Sequence, residues 1–122
     1  MVDGEPFDIA QYRGKVVVLH TWATWCAPCL RRIPMLQELH AQYHDRGFEV
    51  LGICYDGEPE PVREFLDKQK LPWISLFDKD WEIFRRFSHG NSSIECLIDR
   101  EGKAVFYRTD EELKGILEKM FP

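Results

Sequence analysis

The chain sets blocks of apolar residues between charged stretches, and the spacing inside each block predicts an element. Residues 16–21 open with Val16-Val17-Val18-Leu19, apolar and β-branched without alternation, as in a strand buried on both faces. From Pro28 onward, Ile33, Leu36, Leu39 and Tyr43 recur on one helical face, and that helix is expected to end near Gly47. Pro34 lies inside it and predicts a kink, because its ring removes an N–H donor and crowds the preceding turn. Residues 48–55 read as a second buried strand. Val62, Phe65 and Leu66 mark one side of a helix over 59–70, which Pro72 follows. Trp81, Phe84 and Phe87 mark a short helix over 80–87. Residues 94–99 and 103–107 read as strands joined by Arg100-Glu101-Gly102, a hairpin signal. Thr109 and Glu112 have the spacing of a capping box, opening a last helix with Leu113, Ile116, Leu117 and Met120 inward.

The predicted order is strand, helix, strand, helix, short helix, strand, strand, helix. A parallel βαβ half joined to a hairpin and a closing helix gives an α/β fold, one central mixed sheet with helices on both faces. A length of 122 residues suits one domain with its own core. Apolar residues at 44% and charged residues at 30% place the chain among soluble globular proteins. A net charge of -5 leaves no footprint for nucleic acid or an anionic membrane. The basic pairs Arg31-Arg32 and Arg85-Arg86 read instead as solvated helix faces. No apolar run approaches the roughly 20 residues of a membrane span, and no signal peptide is visible.

Four cysteines are too few for a disulfide-stapled scaffold, but two of them carry chemistry. Cys26 and Cys29 lie between the first strand and the first helix, in Trp22-Ala23-Thr24-Trp25-Cys26-Ala27-Pro28-Cys29. A strand feeding a helix at a Cys-x-x-Cys pair points to a thiol–disulfide redox site. The helix N-terminus presents unpaired N–H groups and a positive dipole end, which favour thiolate over thiol at the first cysteine. The second lies about one helical turn on, near enough to close a small disulfide ring. Cys54 and Cys96 fall in strands flanking the central one on opposite sides, and read as buried structural thiols.

The element order and Trp25-Cys26-Ala27-Pro28-Cys29 together resemble the thioredoxin fold. The wording is similar to the TlpA/ResA-type thioredoxin-like proteins. Gly14-Lys15-Val16-Val17-Val18-Leu19 resembles their strand, and Leu97-Ile98-Asp99-Arg100-Glu101-Gly102-Lys103 their late hairpin. Pro34 matches their kinking proline. The resemblance covers nearly the whole chain. It implies a thiol–disulfide oxidoreductase with no cofactor beyond the redox-active Cys26–Cys29 pair, acting as a reductant of other proteins' disulfides and recharged by a reducing donor protein. It also implies an extracytoplasmic site of action. Residues 1–122 read as one thioredoxin-like domain, expected to be monomeric. Residues 3–9 supply only the second strand of the family's opening hairpin, consistent with excision from a longer precursor.

Two positions depart from the family pattern. Ser93 stands where the family carries a cis-proline facing the cysteines, and no proline occurs between Pro72 and Pro122. A cis bond before a non-proline residue costs ~2.5–4 kcal/mol, so a trans bond and a reshaped substrate loop are expected there. His20 takes the place of a buried acid or Asn beneath the disulfide. It is a candidate proton relay to Cys29, and equally a neutral core histidine. Asp56 and Glu58 are candidates for a carboxylate that tunes the cysteines, and either also suits an N-cap for the helix starting near Pro59. Trp22 and Trp25 read as shielding aromatics, with Trp25 able to offer an apolar face to substrate. Pro28 pre-sets the first helical turn.

Two rival readings use the same residues. With the shielding proline gone, Cys26, Cys29 and His89 could converge on copper or zinc. A catalytically degenerate binding module is the other, and the intact cysteine pair opposes it. No other residue set reads as a metal centre. A peroxidase of this fold is disfavoured, since the proline and threonine expected before its cysteine are missing in register.

Overall fold

A computed structural model of the chain describes residues 12–55, 58–78 and 95–122. Its centre is β1 (Val16–Trp22), every residue of which is buried. Parallel β2 (Phe48–Cys54) lies on one side, in register from Val16↔Phe48 to Trp22↔Cys54. Antiparallel β4 (Glu95–Ile98) lies on the other, with Leu19 opposite Cys96. Among the described residues β3 (Ile74–Phe77), parallel to β2, and β5 (Ala104–Phe106), antiparallel to β4, complete the sheet in the order β3-β2-β1-β4-β5.

The strand β3 was not expected. Four residues, one of them a serine, are too short a run to show periodicity, and Pro72 reads locally as a helix stop. Its support is non-local, through pairing of Leu51 to Cys54 with Ile74 to Phe77. The predicted helix over 80–87 lies outside the described residues, as do residues 3–9.

The predicted kink at Pro34 is a full break. Helix α1 (Ala27–Arg31) stops, and α2 (Ile33–Tyr43) restarts with Pro34 in its first turn. Proline has no N–H to return to the carbonyl four residues back, so the ladder is interrupted there. The Arg32 N–H bonds the Cys29 carbonyl at 3.3 Å, and the Leu36 N–H bonds that of Arg32 at 3.1 Å. A single 3₁₀ turn (His44–Arg46) and Gly47 (φ 96°) end the segment, a left-handed stop that glycine adopts without strain.

The remaining helices start as their sequences dictate. In α3 (Pro59–Gln69) the proline sits in the first turn, where a missing N–H costs nothing. In α4 (Asp110–Met120) the Thr109 hydroxyl accepts the Glu112 N–H at 3.1 Å, and the Glu112 carboxylate takes the Arg108 N–H at 3.0 Å.

Even-numbered residues of β1 and β2 face these helices. Val16, Val18, Phe48 and Val50 pack with Ile33, Leu36 and Leu39 of α2, and with Leu113 and Leu117 of α4. Both parallel crossovers, β1 to β2 and β2 to β3, return on this same side, as right-handed connections require. On the opposite face Val17, Leu19, Leu51, Ile53, Leu76 and Cys96 form a second buried layer with Tyr12.

Candidate active site

The chain leaves β1 at Trp22, turns through Ala23 to Trp25, and enters α1 with Cys26 as its N-cap. The Cys26 N–H closes the turn on the Ala23 carbonyl at 3.1 Å, and its own carbonyl accepts from Leu30 at 3.1 Å. Ala27 and Pro28 then fill the first turn and bring Cys29 round beside Cys26. The two are joined in a disulfide with Cα atoms 5.4 Å apart. Both cysteines are partly exposed, while Ala27, Pro28 and Trp25 are exposed, Trp25 at 66%. A thiolate formed at Cys26 would sit where helical N–H groups lack partners, the environment that lowers thiol pKa.

His20 lies directly below, 1% exposed. Its Nε2 is 3.0 Å from the Cys29 carbonyl oxygen. A carbonyl only accepts, so Nε2 carries the proton and Nδ1 is bare. Burial, with the Arg32 charge adding to it, pushes the His20 pKa down from 6.5 to about 4 against the opposing pull of that hydrogen bond. The ring is therefore neutral at neutral pH. Its contact is with the backbone of Cys29, so it braces the α1 turn.

Tyr55, passed over in the sequence, reaches the sulfur itself. It follows β2 directly, and its N–H bonds the Trp22 carbonyl at 3.0 Å. Its hydroxyl donates to Cys29 Sγ at 3.5 Å, and Trp25 stands edge-on to its ring with centroids 5.5 Å apart. The signal available was position. Side chains just beyond the carboxyl ends of adjacent parallel strands converge on one crevice.

Other expectations fare differently. Glu58 is the N-cap residue of α3, but it is exposed and its side chain makes no capping bond. Asp56, Ser93 and His89 lie outside the described residues. Arg32 is not a solvated helix charge. It crosses from the α1–α2 break to the start of α4, where its Nε bonds Asp110 at 3.1 Å and its guanidinium bonds the Tyr107 hydroxyl at 3.2 Å. Arg31 is exposed. Cys54 and Cys96 are buried thiols outside any disulfide, and burial pushes Cys96 up to about 11.

Gly52 occupies the sheet position between His20 and Ser75. A Cβ there would lie 2.6 Å from Ser75 Oγ and 3.1 Å from Trp22 Nε1. Gly52→Ala is expected to cost about 1–3 kcal/mol by overpacking. Urea unfolding checks this, and Ser75→Ala in the same chain should recover part of the loss because the two sites are in contact.

The sequence pattern of the AhpC/TSA family matches residues 1–109. The chain belongs to that family. Among the relatives of this AhpC/TSA protein, a thiol-disulfide oxidoreductase ResA of Bacillus cereus is 31% identical over 125 residues, covering 99% of this chain and 72% of ResA. A crystal structure of a thioredoxin-family thiol:disulfide interchange protein from Chlorobium tepidum TLS superposes with a TM-score of 0.77 at 26% identity, over 97% of this chain and 88% of that one. A secreted Mycobacterium tuberculosis disulfide oxidoreductase, homologous to Escherichia coli DsbE, shares the fold with a TM-score of 0.76 at 24% identity, over 97% and 91%. The AhpC/TSA protein is thus a thiol–disulfide oxidoreductase with a thioredoxin fold, a mixed five-stranded sheet with helices.

Proposed function

We propose that this AhpC/TSA protein reduces disulfides in partner proteins, with Cys26 attacking and Cys29 resolving. The observation that carries the reading is the partly exposed Cys26–Cys29 disulfide at the N-terminus of α1, beside an exposed Trp25. In the reduced protein, the Cys26 thiolate attacks one sulfur of a substrate disulfide, forming a mixed disulfide and releasing the other substrate sulfur as a thiolate. The Cys29 thiolate then attacks Cys26 Sγ and the second substrate sulfur leaves. Two electrons pass to the substrate, and the protein keeps the Cys26–Cys29 bond. A donor dithiol reverses these steps to recharge it.

Each surrounding residue has a place in this scheme. The Tyr55 hydroxyl stabilises negative charge on Cys29 sulfur through its hydrogen bond. His20 holds the Cys29 carbonyl, and so the pitch of the turn. Trp25 offers an apolar face for the chain flanking a substrate disulfide. The exchange runs on sulfur alone, without a bound cofactor. An extracytoplasmic location is supported by the secreted M. tuberculosis neighbour. No helix among the described residues is long and apolar enough to cross a membrane. The oxidoreductase relatives favour disulfide exchange over metal binding for the cysteine pair.

A thiol-trapping redox titration, with alkylated cysteines counted by mass, tests the proposal. One reversible two-electron couple with a midpoint near about −270 mV is expected, and one near about −120 mV would mark an oxidant instead. The absence of any couple would refute both.

A further inference from the structure

At the far end of the sheet from the disulfide, His40, His44 and Glu49 bring three ligand atoms within 4.8 Å of one another. His40 and His44 are four residues apart, His40 within α2 and His44 at its C-cap, so their rings share one face, with centroids 4.5 Å apart. Glu49 comes from the start of β2, two residues before the pairing with β3 begins at Leu51. Each carboxylate oxygen meets a different ring. Oε1 lies 2.9 Å from His40 Nε2, and Oε2 lies 3.5 Å from His44 Nε2.

We propose that this cluster is a binding site for a divalent transition-metal ion of the zinc type, separate from the redox centre. Two imidazole nitrogens and a carboxylate are the donor set that zinc takes, with water completing the shell. At metal–ligand bonds of about 2.0–2.2 Å, ligand atoms stand roughly 3–3.5 Å apart, so the present separations, all within 4.8 Å, need to close by no more than about 2 Å. The site is also partly pre-formed. The His40 side chain is 10% exposed and its ring lies 5.9 Å from Trp73, while the Val50 N–H holds Glu49 Oε1 at 3.0 Å. His44, 49% exposed, leaves an approach from solvent. Asp45 stands 3.7 Å from His44 Nδ1, on the ring nitrogen that keeps its proton when Nε2 binds metal. On binding, the His40 Nε2 proton that serves Glu49 is displaced. It moves to Nδ1 or passes to solvent, and the nitrogen lone pair goes to the ion.

The ion would pin the end of α2 to the start of β2. From Glu49 to Tyr55, beside the disulfide, is about 20 Å along the strand. Neither site needs the other.

Zinc binding to the oxidised protein tests this, because the Cys26–Cys29 disulfide then has no thiolate to compete. Calorimetry should find one zinc equivalent for the wild type, with a rise in melting temperature. His44→Gln alters an exposed side chain and should weaken binding by roughly tenfold or more and abolish the thermal shift. Glu49→Gln should do the same, and His89→Gln should change neither. Absence of zinc binding by the wild type would overturn the proposal and leave the trio as a hydrogen-bonded staple between α2 and β2. Binding unchanged in folded His44→Gln, or lost in His89→Gln alone, would overturn it as well.

Discussion

Cys29→Ser should arrest turnover at the mixed disulfide, and Cys26→Ser should abolish reaction altogether. The two sulfurs are close in space yet differ in role. Cys26 is the N-cap of α1, with its side chain at the solvent-facing end of the helix. Cys29 lies one turn inside, against Tyr55 and above His20. With serine at 29, the first attack proceeds but nothing resolves the adduct, because a hydroxyl at neutral pH is not a nucleophile toward sulfur. Incubating the variant with an oxidised protein substrate should give a covalent complex that is visible on a non-reducing gel and dissociates with excess dithiol. Turnover of both variants should fall to the uncatalysed background. A Cys29→Ser protein that still cycles would reassign the resolving role to another thiol, and both Cys54 and Cys96 are buried.

The second large effect is on stability in acid. In the folded protein His20 titrates at about 4, against 6.5 for the exposed side chain, chiefly through burial. Between those values the unfolded chain binds a proton that the native state refuses, so unfolding is favoured as pH falls. The stabilisation is complete above about pH 6.5 and declines toward about pH 4, a loss of about 3 kcal/mol. His20→Gln keeps an N–H donor for the Cys29 carbonyl and removes the titration. Urea unfolding of both oxidised proteins, at about pH 7.5 and at about pH 4, isolates the term, since other titrating groups cancel in the difference. The wild type should lose about 3 kcal/mol more than the variant over that range. Equal losses would mean that His20 takes up its proton as readily in the folded as in the unfolded chain.

How far the chain could be read locally follows from how far apart its partners lie. The cysteine pair, the α3 start at Pro59 and the Thr109 cap depend on neighbours within a turn, and each stands where the pattern put it. Arg32 bonds Asp110, 78 positions away, and no local spacing announces that pairing. The edge strand β3 is similar, because its four residues become a strand through β2. Tyr55 was hidden for another reason. It closes an apolar strand and reads as its last buried residue, whereas its hydroxyl points past the strand end to sulfur. Glu58 shows the converse, for an acid at an N-cap position need not bend back to cap.

The break at Arg32 also makes the redox centre modular. Helix α1 contributes no buried residue to the interior, whereas α2 contributes Ile33, Leu36, Leu39, His40 and Tyr43. Exchanging the dipeptide at positions 27 and 28 therefore changes the electrostatic setting of the cysteines while the anchoring half of the segment keeps its seat. Driving force and fold robustness can then drift independently over evolutionary time, as if the reactive turn were an interchangeable head on a fixed shank.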